Sequence, residues 1–428
     1  MRVFLGTAEI GGYYSRLVAG FAELGIDAVS VPLVSHPLGY ETPPPRSSLL
    51  RLVAHTADRR RSVILRPRGT RLAAMVVQAP VRPLLLAWAL LHFDVFVLGF
   101  GSSVAGPWEL PLMRLLGKRV VHVFHGSDTR PPYLDGFLVQ RGSSPRRMRR
   151  LTRRSVRRLR WIERWSGAIV CHPASAQLHR RPFLAYLEIG IPVAPSRIQA
   201  TSAERAPDDT VRALHSPSNP AVKGTDVIRD AVTEACRRGA RIELVEITGR
   251  PNAEVLAALG TADLAIDQAF SDQPLAGFAA EAAEAGVPAI VGGYAAGDPG
   301  APLTTPPPPS AFVHPGALAD EIYRLAMDTT ARRALGLAAQ ELVRGEWSPA
   351  SVARRLLAAA TGAAPAVWLV DPSTITYPLG CGMPEDDTRR IVGALVRHYG
   401  ASALCVDDKP ELKARLLDLA SDLARPSR

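Results

Sequence analysis

The sequence predicts an α/β protein: two doubly wound parallel-sheet (Rossmann-like) domains facing a cleft, followed by a small C-terminal α/β extension. Three observations lead there. Short apolar runs alternate with helical patterns at βα spacing in both halves of the chain. A segment carrying Gly190, Pro192, Pro195 and Pro207 among small polar residues separates the halves. The 428 residues, 47% hydrophobic and 21% charged, suffice for two or three cored domains and leave no long stretch with a disordered composition.

In the first half, Arg2–Leu5 reads as a buried strand, and Gly11-Gly12 opens a helix that runs through Leu24 and ends at Gly25. Ala28–Val31 is the next strand. Residues 36–70, rich in Pro, Ser and Arg, read as a long loop with some helix. Then come a helix at Leu84–Leu91, a strand at Val95–Leu98, a helix at Leu110–Leu116 and a strand at Arg119–Phe124. An arginine-rich helix near 146–165 precedes a strand at Ala168–Cys171.

The second half repeats the alternation. Strands are expected at Val211–Leu214, Arg241–Ile247, Leu264–Ile266 and Ala289–Val291. Helices are expected at Thr225–Arg238, Ala253–Leu259, Phe278–Ala285, Ala317–Met327, 330–345 and Pro349–Ala360. In the extension, Val367–Val370 and Ala403–Val406 read as strands, and Asp387–His398 and Pro410–Leu423 as helices. The expected domains are 1–195, 205–361 and 365–428.

Cys171, Cys236, Cys381 and Cys405 are scattered, with no CxxC pair, which fits a reducing compartment and disfavours a zinc site or disulfide framework. The N-terminal apolar run is too short for a signal peptide. Pro83–Gly101 is the most membrane-like segment, but His92 and Asp94 interrupt it, so it reads as a buried helix and strand. The expectation is a cytoplasmic protein. Net charge is +11, unevenly spread: residues 1–200 hold 29 Lys/Arg against 11 Asp/Glu, and residues 201–428 hold 22 against 29. A basic first half calls for an anionic partner such as a membrane surface or a phosphorylated acceptor.

Open α/β sheets bind ligands at the carboxyl ends of their strands. Gly11-Gly12 stands there, where glycine permits close backbone approach and a helix N-terminus favours anions. The same pair also makes an ordinary tight turn, and it is not a dinucleotide fingerprint. His125-Gly126-Ser127-Asp128 follows a strand; His125 at that end can bond a sugar hydroxyl or phosphate, and Ser127 or Asp128 can equally cap a helix. Lys223-Gly224-Thr225 precedes a helix, placing an ammonium where a diphosphate would meet a helix N-terminus, although a loop lysine is commonly only solvated. Glu281, beginning a helix after Gly277-Phe278, can accept bonds from two ribose hydroxyls or simply complement the helix dipole. A lysine and a glutamate on neighbouring βα loops suggest a nucleotide-sugar pocket.

The segments HSPSNPAVKGTDVI (from His215), ADLAIDQ (from Ala262) and GFAAEAAEAGVPAIV (from Gly277) resemble the donor half of family 4 retaining glycosyltransferases of the GT-B fold. FDVFVLGFGSSVAG and LPLMRLLGKRVVHVFHGSDTR resemble matching parts of the acceptor half. The resemblance covers roughly residues 1–361. It implies an N-terminal acceptor-side domain and a C-terminal donor domain. It also implies that Lys223 meets the donor diphosphate, Glu281 the ribose, and the backbone near Gly277–Ala279 the sugar or phosphate. Gly11-Gly12 would approach from the opposite domain, and His125 would lie near the donor sugar and acceptor. Two positions depart from the family: Ser218 stands where an arginine is usual, and Gln273 where an acidic residue is. Arg250 is a candidate replacement cation.

The implied reaction is retaining transfer of a sugar from a nucleotide-sugar to an acceptor hydroxyl, with the leaving diphosphate stabilised electrostatically and without metal or other cofactor. There is no D-x-D triplet. Two competing readings stand beside it: a nucleotide-sugar epimerase, and a scaffold that kept the fold and lost the chemistry. Ten arginines between Arg146 and Arg164, with Met148, Leu151, Leu159, Trp161, Ile162 and Trp165 among them, form either an amphipathic helix on an anionic membrane surface or a core-packed helix with a solvated face. No binding motif accompanies the charge, so nucleic acid is not expected. The acceptor is expected to be lipid-linked or anionic.

Overall fold

The computed structural model describes residues 1–33, 47–62, 68–99, 101–195, 210–301 and 306–421. Pro207 and much of the Pro/Ser/Arg-rich stretch at 36–70 lie outside the described residues. The first sheet takes β1 (Arg2–Leu5), β2 (Asp27–Ser30), β3 (Val95–Gly99), β4 (Arg119–Val123), β5 (Ala168–Cys171) and β6 (Phe183–Ala185). Its helices are α1 (Tyr13–Glu23), α2 (Ser48–Ser62), α3 (Arg68–Gln78), α4 (Val81–His92), α5 (Glu109–Leu115), α6 (Gly136–Gln140), α7 (Pro145–Trp165) and α8 (Tyr186–Ile189).

The second sheet is built from β7 (Val211–His215), β8 (Ile242–Glu246), β9 (Leu264–Ile266), β10 (Ala289–Gly292) and β11 (Ala311–Val313). Around it lie α9 (Pro220–Lys223), α10 (Thr225–Arg237), α11 (Asn252–Leu259), α12 (Gly277–Glu284), α13 (Leu318–Met327), α14 (Thr329–Gly345) and α15 (Pro349–Thr361). The chain ends with β12 (Leu369–Val370), α16 (Glu385–Tyr399) and α17 (Pro410–Ser421).

The sheet orders are β12-β6-β5-β4-β3-β1-β2 and β11-β10-β9-β7-β8. Every pairing is parallel except β12 on β6, where Leu369 faces Leu184 and Val370 faces Phe183. Two doubly wound α/β units are therefore present, as the sequence predicts. Central strands such as β3, buried at every residue, read as continuous apolar runs because helices cover both faces.

The extension is less independent than its sequence suggests. Ala403–Val406, read as a strand, is corrected to a 3-10 turn at Ala401–Leu404. Gly400, at φ 71°, reverses the chain there, and Ala403, Leu404 and Val406 bury against helices instead of a sheet. Only Leu369–Val370 of the segment Val367–Val370 is strand, and it joins the first sheet. α16 carries Glu385, Asp386 and Asp387 in its first turn and Arg397 and His398 in its last, matching the helix dipole at both ends. Its buried residues Ile391, Val392 and Leu395 join Leu412 and Leu416 of α17 in the apolar core of the first domain. Each such leucine contributes ~1.5–3 kcal/mol of burial.

α7 resolves its two readings in part. Met148, Thr152, Leu159 and Ile162 are buried, so its apolar stripe packs on the core. Arg147, Arg158 and Arg160 are tied to Gly142 O, Asp128 O and Glu163, and Arg149 lies over the Tyr399 ring. Arg146, Arg150, Arg153, Arg154 and Arg157 remain exposed. An anionic surface would meet charge here, not an inserting apolar face. Met75–His92 has the length and hydropathy of a spanning helix. Within it, Val81, Leu85, Leu86 and Ala89 of α4 are core residues while Leu84 and Leu91 face outward.

Candidate functional site

The loop after β7 sets the position of Lys223. Pro220 begins α9, and Asn219 caps it by accepting from the Val222 N–H at 3.4 Å. The single turn ends at Gly224, whose φ of 71° puts it in the left-handed region. A Cβ there would lie 2.7 Å from Ala269 Cβ and 2.9 Å from the Phe270 ring, so only glycine lets this loop press on the Ala269 and Phe270 side chains. The Ala269 N–H donates to Lys223 O at 2.8 Å, closing that contact. The Lys223 ammonium then donates to Asp267 Oδ1 at 3.1 Å. Asp267, just after β9, is buried, and its Oδ2 has no hydrogen-bond partner among the described residues.

Glu281 stands one turn inside α12 rather than at its start. Its carboxylate accepts from Arg16 Nη2 at 2.5 Å and from Asn252 Nδ2, which is 3.2 Å from both oxygens. Arg16 belongs to α1, in the first domain, so this ion pair crosses the interface. Arg16 and Glu281 are both largely shielded.

One cleft of about 330 Å³ collects most of the expected residues: Gly11 from the first domain, and Lys223, Arg250, Gly277, Phe278 and Glu281 from the second. Ser218, the departure from the family pattern, lines it too. Its walls are the loops after β7 and β8 and the first turns of α12, at the carboxyl ends of the strands. Arg250 is well exposed and lies 3.9 Å from Glu254.

The structure does not bring all the expected residues to this opening. Gly12 and Gly224 adjoin the cleft without lining it. The first N–H groups of α1 are already taken: Glu9 accepts from the Ile10, Tyr14 and Ser15 N–H groups at 2.8, 3.2 and 2.9 Å. Glu9 thus fills the anion position at this helix start, while Gly11 itself leaves open space.

His125 lies off the cleft lining as well. Its ring packs edge-on to Tyr13 at 4.9 Å and Tyr186 at 5.9 Å, with the Tyr186 hydroxyl 3.4 Å from Nδ1. Burial draws its pKa down to about 4, keeping the ring neutral. Its Nε2 has no hydrogen-bond partner among the described residues. The loop that carries it is fixed by Asp128, which accepts from the His125 N–H at 2.9 Å. Among the described residues no group of three or more His, Cys, Asp or Glu is arranged to hold a metal ion.

A second ionic contact joins the domains elsewhere. Arg130, on the loop after β4, pairs with Asp135 at 2.9 Å and, through Nε, with Asp272 of the second domain at 3.0 Å. All three are buried. Burial opposes the charge on Arg130, but Asp272 and Asp135 outweigh it and hold the guanidinium protonated. The extension covers this seam. Cys381 exchanges backbone bonds with Leu134 and Gly136 of the first domain, and the Gly382 N–H donates to Phe270 O of the second.

Sequence reasoning missed Arg16, Asn252 and the pairing role of Asp267. Asp267 sat inside a recognised motif, and Arg16 lies one turn past Gly11-Gly12. A cation at that helix start was the available signal.

No family model matches the sequence, and no curated protein matches it. Among solved structures, the chain is similar to HepE of Anabaena, solved in complex with UDP and glucose, at 12% identity over 84% of this chain and 99% of that one (TM-score 0.46). It is also similar to an α,α-trehalose-phosphate synthase (UDP-forming) from Burkholderia vietnamiensis, at 15% identity over 86% and 98% (TM-score 0.48). A third is a putative UDP-N-acetylglucosamine 2-epimerase from Listeria monocytogenes, at 12% identity over 85% and 96% (TM-score 0.41). At such identities and scores these similarities assign no activity.

Proposed function

We propose that this chain is a glycosyltransferase that takes a sugar from a nucleotide-sugar donor bound between its two α/β domains. The observation that carries the reading is the convergence of Lys223, Arg250 and Glu281 on one interdomain cleft, with Gly11 opposite. A nucleotide diphosphate needs cations that can approach its oxygens, and a ribose needs a carboxylate that accepts two hydroxyl hydrogens. Lys223 and Arg250 supply the first, and Glu281 the second.

Lys223 would turn from Asp267 to the diphosphate, a swap of one charge-assisted bond for a stronger set. Glu281 would exchange Arg16 for the ribose hydroxyls. In the reaction the departing diphosphate gains negative charge, and positive groups already in place at its oxygens lower the barrier. Transfer with retention, without metal, to a lipid-linked or anionic hydroxyl acceptor at the cytoplasmic membrane face completes the proposal.

One observation favours a second reading, in which the cleft binds the donor without transferring its sugar. His125 is held neutral behind Tyr13 and Tyr186 and does not line the cleft. Thermal-shift titration with UDP-, GDP-, ADP- and dTDP-sugars, followed by a donor-hydrolysis assay, separates the two. A melting shift with sugar release is expected. A shift without release supports the binding reading, and no shift with any of the four overturns both.

A further inference from the structure

A second cavity, of about 560 Å³, lies within the first domain between β3, β4, α5 and α7. It shares no lining residue with the interdomain cleft. Its wall is apolar: Leu98, Leu110, Phe124 and Ile162, with the half-exposed Trp161 at one side. Its size falls within the roughly 300–1,000 Å³ of small-molecule sites. Arg157 and Arg158 of α7 also line it, both exposed. Arg158 is anchored by donating to Asp128 O, whereas Arg157 projects from the same face with Arg153 and Arg154 beside it.

We infer that this cavity binds an anionic amphiphile, with its apolar chain against the wall and its phosphate or carboxylate at Arg157. The charged groups of the lining set that orientation. Glu109 and Asp128 are the two acids along the wall. Glu109 is buried, and its carboxylate accepts from the Val104, Ala105 and Gly106 N–H groups at 3.1, 2.7 and 3.3 Å. Asp128 is buried with one oxygen unpartnered. An anionic group set inward would meet these carboxylates, while one at the rim meets arginines. The apolar surface inside takes the chain, and each buried methylene strengthens binding roughly fourfold.

The site stands or falls apart from the nucleotide-sugar reading. Calorimetric titration of the full chain with octyl phosphate and dodecyl phosphate, each below its micelle concentration, tests it. Saturable one-to-one binding is expected, at least tenfold tighter for the dodecyl chain, and at least fivefold weaker in Arg157→Glu. That substitution sits on an exposed helix face, and an unchanged circular dichroism spectrum verifies its fold. No saturable binding overturns the proposal, as does equal affinity for the two chain lengths or unchanged affinity in Arg157→Glu. Phosphatidylglycerol vesicles then distinguish sources. Lipid withdrawn from them by the protein supports a membrane lipid, monomer binding without withdrawal supports a free amphiphile, and adhesion to vesicles without any monomer binding overturns the site.

Discussion

Arg16 and Arg130 each reach across the domain interface to a carboxylate, Glu281 and Asp272, in very different surroundings. Arg16–Glu281 borders an open cleft, and Asn252 shares the same carboxylate. Arg130–Asp272 is sealed: a second carboxylate, Asp135, completes the guanidinium's bonds, and the extension closes over it. An ion pair at the edge of a cavity can exchange partners with a ligand at modest cost. A buried pair cannot, because separating it strands a charge away from water. One side of the interface is thus able to let go while the other holds the domains together.

The comparison can be broken by experiment, most forcefully at the sealed pair. Asp272→Ala leaves Arg130 buried with one partner and is expected to lower stability by about 3–5 kcal/mol in urea unfolding. A loss under ~1 kcal/mol would mean that the seam is wetter than its burial implies. On the open side, Lys223→Ala is expected to reduce sugar transfer more than about tenfold, or ~1.4 kcal/mol of transition-state stabilisation, and to lower the melting temperature as well, because the buried Asp267 loses its ammonium partner. Near-normal turnover in a transfer assay would remove Lys223 from the proposed role.

Acid is expected to loosen the first domain. Burial pulls the pKa of His122, His125 and His172 down to about 3, 4 and 3. Groups held below their unfolded values near 6.5 lend stability that is complete above that pH and is lost as pH falls toward 4. Asp128 acts oppositely: burial raises it to about 6, so its share is complete below 3.8 and is lost as pH rises through 6. Three histidines outweigh one carboxyl, so melting temperature should drop by about 5–10 °C between pH 6.5 and 4.5. A flat profile would contradict this balance. The smallest effect concerns the exchangeable pair. Arg16→Ala should raise nucleoside diphosphate affinity a few-fold in calorimetry by freeing Glu281. Weaker binding would instead place Arg16 among the donor's own contacts.

Much of this architecture was legible because strand and helix periodicities are local. β7, β8 and β9 fall where apolar runs end in turn residues, and the loops that follow them are where an α/β sheet places ligands. Lys223, Arg250 and Glu281 could therefore be named in advance. What escaped depends on distant residues. β6 and β11, three residues each, lie at or next to a sheet edge, and only their pairing with β5 and β10 makes them strands. The pairing of β12 with β6 joins remote parts of the chain. His125 sits at a strand end, but nothing nearby in sequence says that Tyr13 and Tyr186 will enclose it. Likewise, Arg16 acquires its partner only when the two domains meet, and Asp267 meets Lys223 only when β7 and β9 lie side by side.

The antiparallel pairing of β12 on β6 has a bearing on synthesis. The first domain's sheet gets β12, and its core gets α16 and α17, from residues made only after the whole second domain. Until then β6 is an uncapped edge and the apolar surface awaiting those helices lies open to solvent. The nascent chain is therefore most prone to aggregate before β12, α16 and α17 emerge, and a chain lacking them would keep that surface exposed.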